Sequence, residues 1–190
     1  MAAACLVLVA AVASAVALVV RRKGAGSPRV GVLAGNPYLD SGTSVGDLPA
    51  PDFRLRDQFG RLTSLSQYRG KVVLLAFNDS KCTTICPLTT SAMLDAKRML
   101  GAAGSQVVLL GVNANPTATG IGDVLAYSQA HGMTRQWRFL TGPVSQLKRV
   151  WKAYAIESQI VHGQIDHTPA LYVIDTRGRR RELFLTQQSY

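Results

Sequence analysis

Two continuous apolar segments of strand length constrain this chain more than any other feature of its sequence. Residues 72–77 read Val-Val-Leu-Leu-Ala-Phe, and residues 106–112 form a second run of the same kind. Because neither run alternates apolar with polar residues, each predicts a strand that other elements cover on both faces. A helical pattern follows each run, and this alternation predicts an α/β sandwich with helices on the two sides of a sheet.

The other predicted elements are shorter and are bounded by turn-forming residues. A small hairpin is predicted over residues 50–55 and 61–65, and helices over residues 87–100, 122–131 and 146–154. A short strand at residues 137–140 and an antiparallel hairpin over residues 170–174 and 181–185 complete the predicted sheet. The predicted apolar stripe of the first helix consists of Met93, Leu94, Ala96, Met99 and Leu100.

The first 46 residues differ in composition from the rest of the chain. Residues 2–20 carry no charged side chain, and Arg21, Arg22 and Lys23 end this run. Its length is close to that needed to cross a bilayer core of about 30 Å. We therefore predict a transmembrane anchor or signal-anchor over residues 1–23, with a cleaved signal as the alternative. Residues 24–46 are rich in Gly, Ser and Pro and predict a flexible linker, so that the domain covers residues 47–190.

The net charge of +10 comes from 21 Lys and Arg against 11 Asp and Glu. The basic residues cluster beside the apolar segment and near the C-terminus, and no nucleic-acid-binding motif accompanies them. We therefore predict no nucleic-acid partner, and we interpret the charge as a solvated surface that attracts anionic lipid headgroups. Docking to an acidic protein partner is the second interpretation.

Two of the three cysteines lie close together in the predicted domain. Cys5 falls in the apolar segment, whereas Cys82 and Cys86 occur in Cys-Thr-Thr-Ile-Cys-Pro, where a buried strand ends and a helix begins. Unpaired N–H groups and the helix dipole favour a thiolate there, and Lys81 adds a neighbouring positive charge. Four-residue spacing brings the two sulfurs close enough to share a metal ion or to form a reversible disulfide. The spacing leaves both chemistries open.

Three motifs coincide in this sequence. They are Pro-Asp-Phe at residues 51–53, the Cys82 to Pro87 motif, and Asp-His-Thr at residues 166–168 followed by Tyr-Val-Ile-Asp at residues 172–175. Together they resemble the Sco (SenC) family of copper-binding thioredoxin-like proteins over residues 51–185. The resemblance implies a thioredoxin-like three-layer sandwich with an N-terminal hairpin, preceded by one transmembrane helix. It also implies that Cys82, Cys86 and His167 are the copper ligands.

The same resemblance implies a single-pass cell-membrane protein whose extracytoplasmic domain serves assembly of the copper site of cytochrome c oxidase. Its expected partner is a copper-receiving oxidase subunit or another cysteine-bearing extracytoplasmic protein. Two thiolates and one imidazole suit copper as Cu(I), Cu(II) or both, with the sulfurs favouring Cu(I), and three ligands leave an opening for exchange. Asp166 is expected to have at most a supporting or structural role. His162, in the same predicted loop, is a weaker candidate for copper capture.

An alternative interpretation retains the thiols but not the metal. By its spacing to Gly178, Pro169 occupies the position of the cis-proline of thioredoxin-like disulfide reductases, which typical Sco proteins lack. This favours an extracytoplasmic thiol-disulfide oxidoreductase with Cys82 and Cys86 as its redox pair. The alternative is a trans proline that opens an edge strand. A peroxidase of the peroxiredoxin type is disfavoured, because Asp79 stands where that family has Thr before one cysteine and Pro before the other.

Overall fold

The computed structural model describes residues 42–185, which include most of the predicted domain. The strands are β1 (Thr43–Pro49), β2 (Arg54–Arg56), β3 (Leu62–Ser64), β4 (Val72–Asn78), β5 (Val107–Asn113), β6 (Arg138–Leu140), β7 (Ser158–Val161), β8 (Gln164–His167), β9 (Ala170–Ile174) and β10 (Arg179–Leu185). The α-helices are α1 (Ile85–Met99), α2 (Ile121–Ala130) and α3 (Val144–Ala153), and 3-10 helices lie at Leu65–Tyr68 and Gly101–Gln106.

A six-stranded mixed sheet forms the centre of the domain, in the order β1-β10-β9-β4-β5-β6. The β4, β5 and β6 strands run parallel to one another, and β9 pairs antiparallel to both β4 and β10. Two separate hairpins, β2–β3 and β7–β8, extend from this sheet. The chain thus returns through helices between the parallel strands, and a tight turn joins the antiparallel strands β9 and β10, as the sequence pattern predicts.

Alternate side chains of β4 enter two different cores, which explains its uninterrupted apolar sequence. Val73, Leu75 and Phe77 are buried with residues of α3 and the β2–β3 hairpin. The intervening Ala76 is buried in a second cluster with residues of α1 and α2. A strand covered on both faces needs apolar residues at every position. The prediction of a three-layer arrangement is therefore confirmed within residues 42–185.

The predicted apolar stripe of α1 is wrong at its C-terminal end. Met93 is buried, but Met99 is 85% exposed and Leu100 is 50% exposed. At 3.6 residues per turn, six residues separate Met99 from Met93 by about 120° around the helix. The buried face instead continues from Met93 towards Thr90 and Cys86, because the spacing i, i+4, i+7 keeps those three residues on one side.

The boundary between the predicted linker and the domain differs in the structure. The predicted linker extends to residue 46, but β1 begins at Thr43 and pairs with β10, so the domain begins earlier. The predicted anchor, residues 1–23, lies outside the described residues. Within residues 42–185, no helix has the length and apolar character needed to cross a bilayer. The β7–β8 hairpin was not predicted, because its exposed strands lack a clear apolar alternation.

Candidate functional site

The loop between β4 and α1, which carries Cys82, is fixed by a buried carboxylate. Asp79 Oδ1 accepts hydrogen bonds from the Lys81 backbone N–H at 2.7 Å and from Asn115 Nδ2 at 2.7 Å. The Cys82 N–H donates to the Asp79 carbonyl at 3.2 Å. Because Asn115 lies after β5, this network holds the loops that follow two neighbouring parallel strands together at one edge of the sheet.

The two cysteines occupy different environments although they are close in sequence. Cys86 lies in the first turn of α1 and is 3% exposed, whereas Cys82 is half-buried just before the helix. Both are free thiols. The Cys86 N–H donates to Cys82 Sγ at 3.4 Å, and the Thr84 hydroxyl lies 3.7 Å from the same sulfur. The Cys86 N–H, which has no carbonyl partner within α1 because it lies in the first helical turn, is thus directed at Cys82, as expected of an anion site.

Opposite pKa shifts follow from this arrangement. A hydrogen bond from the Cys86 thiol, opposed by partial burial and reinforced by backbone N–H groups of Cys86 and Thr84, lowers the pKa of Cys82 to about 4. The same hydrogen bond holds the proton on Cys86, and burial then raises the pKa of that thiol further. Cys82 is therefore the thiolate and the more accessible nucleophile of the pair, whereas the buried Cys86 retains its proton.

Lys81 does not have the role that the sequence indicates. Its ammonium group forms an ion pair with Asp123 of α2, with Nζ and Oδ1 2.6 Å apart. This contact directs the charge towards a carboxylate on a neighbouring helix, and hydrogen bonds from Cys86 and Thr84 are the main interactions that lower the Cys82 pKa. The thiolate is stabilised by hydrogen bonds at the helix start instead.

The fold brings His167 to the cysteines from 81 residues away. His167 ends β8, and its Nε2 lies 3.8 Å from Cys86 Sγ. Its Nδ1 lies 3.1 Å from the Thr168 carbonyl oxygen. Since a carbonyl can only accept, this hydrogen bond places the proton of the neutral ring on Nδ1 and leaves the Nε2 lone pair facing the sulfur.

The position of His167 depends on the base of the β7–β8 hairpin. Ser158, which pairs with His167 across the hairpin, donates its hydroxyl to the Ala114 carbonyl at 2.6 Å. Thr168 donates its N–H to the Glu157 carbonyl at 3.0 Å and accepts the Glu157 N–H on its hydroxyl at 3.1 Å. The Ser158 bond attaches the hairpin to the loop after β5, and the two Thr168–Glu157 bonds close the base of the hairpin. Together they fix the histidine relative to the cysteine loop.

The donor set fits copper in its chemistry and in one of its distances. With metal–sulfur and metal–nitrogen bonds near the zinc values of about 2.3 and 2.1 Å, two ligands of one ion lie roughly 3.5–3.8 Å apart. The 3.8 Å between Cys86 Sγ and His167 Nε2 is close to that range. Within residues 42–185, no three His, Cys, Asp or Glu side chains already surround a common metal position.

Asp166, His162 and Pro169, which the sequence analysis considered for roles at the site, have other surroundings in the structure. Asp166 is exposed and contacts Gln159 at 3.5 Å, so the Thr168 carbonyl, rather than Asp166, orients His167. His162 is exposed in the turn of the hairpin, with a φ of 50°. The Thr168–Pro169 bond is trans, as are all peptide bonds of residues 42–185. The expected cis-proline is therefore wrong, and Pro169 simply precedes the central strand β9.

A buried polar network below Cys86 was missed by sequence reasoning. The Thr90 hydroxyl donates to the Cys86 carbonyl at 2.7 Å and lies 3.0 Å from the Tyr127 hydroxyl. Asn78 Nδ2 donates to Thr90 Oγ1 at 3.1 Å. Thr90 lies four residues after Cys86, on the same helical face. A polar residue at an otherwise apolar helical position was the available signal, since buried hydroxyls normally have partners.

Comparisons with known proteins agree with these motifs. The family model described as SCO1/SenC matches residues 43–190. Among sequence relatives, the SCO2-like protein RC0895 of Rickettsia conorii is 24% identical over 148 residues, covering 73% of this chain and 70% of that protein.

Solved structures show the same fold. Bradyrhizobium japonicum ScoI, solved with copper bound, is 21% identical with a TM-score of 0.64, over 74% of this chain and 94% of that chain. BsSco, a member of the Sco family of cytochrome c oxidase assembly proteins in which a disulfide switch was identified, is 22% identical with a TM-score of 0.60, over 76% of this chain and 86% of that chain. These similarities show the thioredoxin-like α/β fold.

Proposed function

Because the chain belongs to the SCO1/SenC family, we propose that it binds copper through Cys82, Cys86 and His167. We propose further that it serves assembly of the copper site of cytochrome c oxidase. Two findings about relatives support this role: ScoI was solved with copper bound, and BsSco belongs to a family of cytochrome c oxidase assembly proteins. The partner is then a copper-receiving oxidase subunit or another cysteine-bearing extracytoplasmic protein.

The contact between Cys86 and His167 is the observation that carries the proposal. Their sulfur and Nε2 atoms lie 3.8 Å apart, although 81 residues separate them in sequence. Disulfide exchange needs an attacking and a resolving thiol but no imidazole, whereas two sulfurs and a nitrogen form a donor set that suits copper. A histidine held beside the buried cysteine therefore favours metal binding over thiol chemistry alone.

Each of the three residues has a distinct contribution in this proposal. Cys82 supplies a thiolate at low proton cost, and Cys86 releases its proton when it becomes a ligand. His167 offers Nε2 while the Thr168 carbonyl holds Nδ1–H, an arrangement typical of metal-binding histidines. Copper in this site is a cargo, and a set of three ligands leaves room for a ligand from the receiving protein.

The proposed location is the cell membrane, with the domain on the extracytoplasmic side. The uncharged run at residues 2–20 supports a single anchor. The basic residues 21–23 after that run argue for the opposite orientation by the positive-inside rule. A reporter fused after Tyr190 that is active only in the cytoplasm would overturn this part of the proposal.

Metal reconstitution tests the proposed function directly. The purified, reduced protein is mixed with Cu(I), freed of excess metal and analysed for copper per chain. The wild type and the control variant Cys5→Ser should each bind one equivalent, whereas Cys82→Ser and Cys86→Ser should bind far less. Cys5→Ser is a matched control because it removes a thiol outside the proposed site. Retention of one tight equivalent by both Cys82→Ser and Cys86→Ser would overturn the proposal.

A second candidate function is thiol-disulfide exchange without a copper role. The half-exposed Cys82 stands in front of the buried Cys86, and the lowered pKa of Cys82 agrees with this order of attack. The Cys82 thiolate attacks one sulfur of a partner disulfide and releases the other as a thiolate. Cys86 then loses its proton to the released partner thiolate and attacks the Cys82 sulfur in the mixed disulfide. The second partner sulfur leaves as a thiolate that takes a proton from solvent, so that the partner leaves as a dithiol and this chain is oxidised to a disulfide.

A further inference from the structure

A groove of about 720 Å³ lies between the β2–β3 hairpin and α3, and none of its lining residues belongs to the cysteine and histidine site. Its volume falls within the roughly 300–1,000 Å³ typical of binding pockets. The lining residues extend from Gly142 to Tyr154, along the whole of α3. At 1.5 Å per residue this is about 18 Å, the length of an extended peptide of about five residues.

The groove combines an apolar floor with an arginine rim. Phe53, Leu55 and Val150 line it and are almost fully buried, and Leu62 is 41% exposed at its edge. Three arginines that line the same groove are exposed to solvent. They are Arg54, Arg56 and Arg149.

These arginines lack acidic partners within the described chain. Arg54 and Arg149 form no hydrogen bond or ion pair with any of residues 42–185, and Arg56 donates to the Gly60 carbonyl at 2.8 Å. Asp52 is the acidic residue among the lining groups. Its Oδ1 already accepts the N–H groups of Phe53 and Ser66, at 2.9 and 3.0 Å. The groove is therefore positive and its guanidinium groups are available.

The rest of the helix increases this positive charge. The sequence of α3 is Val-Ser-Gln-Leu-Lys-Arg-Val-Trp-Lys-Ala, which contains no acidic residue. Lys148 and Lys152 are exposed on the same helix but do not line the groove. Their position makes them a matched pair for separating general attraction by this surface from contacts inside the groove.

We propose that this groove binds an extended acidic segment of a partner protein. Alternate side chains of an extended segment point in opposite directions, so apolar side chains can rest on the accessible Leu62 and Pro143 while carboxylates pair with Arg54 and Arg149. Arginine is well suited to this role, because its planar fork binds carboxylates through two parallel hydrogen bonds. The length and concavity of the groove favour a single peptide chain over the broad surface of a membrane. The proposal is independent of copper binding.

Fluorescence anisotropy of a labelled peptide tests this site in the full-length protein. The probe is fluorescein-labelled Leu-Asp-Leu-Asp-Leu-Asp, measured at about 0.15 M salt to screen non-specific attraction. The variant Arg54→Gln, Arg149→Gln should bind at least about tenfold more weakly than wild type, as expected for the loss of two charge-assisted contacts. The control Lys148→Gln, Lys152→Gln carries the same change of charge and should stay within about twofold.

Three outcomes would overturn the proposal. The first is an equal loss of affinity in the two double variants, which would mean that binding follows net charge alone. The second is equal binding of a peptide with Asn in place of Asp. The third is binding of vesicles containing phosphatidylserine that depends on Arg54 and Arg149 and displaces the peptide, which would assign the groove to lipid. Copper binding measured on the same variants should be unchanged, so failure of this proposal and failure of the copper proposal are distinguishable.

Discussion

Replacing His167 with alanine separates the two candidate chemistries of the site. The substitution removes the Nε2 atom that lies 3.8 Å from Cys86 Sγ and the hydrogen bond from Nδ1 to the Thr168 carbonyl. Loss of that hydrogen bond should cost folding about 1 kcal/mol, so the variant should remain folded. Changes to groups that merely support a metal ligand lower affinity about 10- to 100-fold. Loss of a metal ligand should therefore lower the affinity for Cu(I) at least about tenfold, which corresponds to ~1.4 kcal/mol of binding free energy.

Competition for Cu(I) with a chromophoric chelator under reducing conditions measures this loss. The control is His162→Asn, which changes a histidine in the same hairpin at a residue with a φ of 50°, a conformation that Asn tolerates. Alkylation of Cys82 by iodoacetamide should be similar in both variants, because hydrogen bonds from Cys86 and Thr84, which both variants retain, are the main interactions that lower the Cys82 pKa. A His167→Ala affinity within about threefold of wild type, below even the effect of supporting groups, would refute the three-ligand site. That result would favour disulfide exchange over copper binding as the function of the site.

Three further predictions test the thiol pair, the buried network and the packing of α1. Hydrogen bonding from Cys86 lowers the pKa of Cys82 to about 4, so the alkylation rate of Cys82 should change little between about pH 5.5 and 8. In Cys86→Ala the alkylation rate should rise with pH over the same range. A wild-type rate that rises about tenfold per pH unit would contradict this assignment. Tyr127→Phe should lower the free energy of unfolding in urea by about 1 kcal/mol, since it removes a buried hydrogen bond near the site; an unchanged midpoint would argue against that bond. In the same assay, Met93→Ala should lower the free energy of unfolding by about 2–5 kcal/mol, and Met99→Gln should lower it by less than about 0.5 kcal/mol. Equal losses in the two variants would mean that the buried face of α1 is assigned wrongly.

Local patterns predicted most of the strands and helices, because each depends on residues that are close in sequence. The apolar run of β4 requires cover on both faces, and the sheet between two helical layers provides it. The prediction failed where a local pattern was ambiguous. In α1 the sequence favours a stripe through Met99, and burial of Thr90 becomes favourable only through partners that the fold brings to it, the Tyr127 hydroxyl and Asn78 Nδ2.

The sequence by itself determined the α/β class, the position of Cys82 and Cys86 at a helix start, and the motifs that resemble one family. Tertiary structure decided what those residues can do. It directed Lys81 to Asp123 instead of the thiolate, and it carried His167 on an unpredicted hairpin to within 3.8 Å of Cys86. Helices and strands follow from periodicities of a few residues. A contact between side chains 81 residues apart instead depends on how every intervening element packs, and no local pattern records that packing.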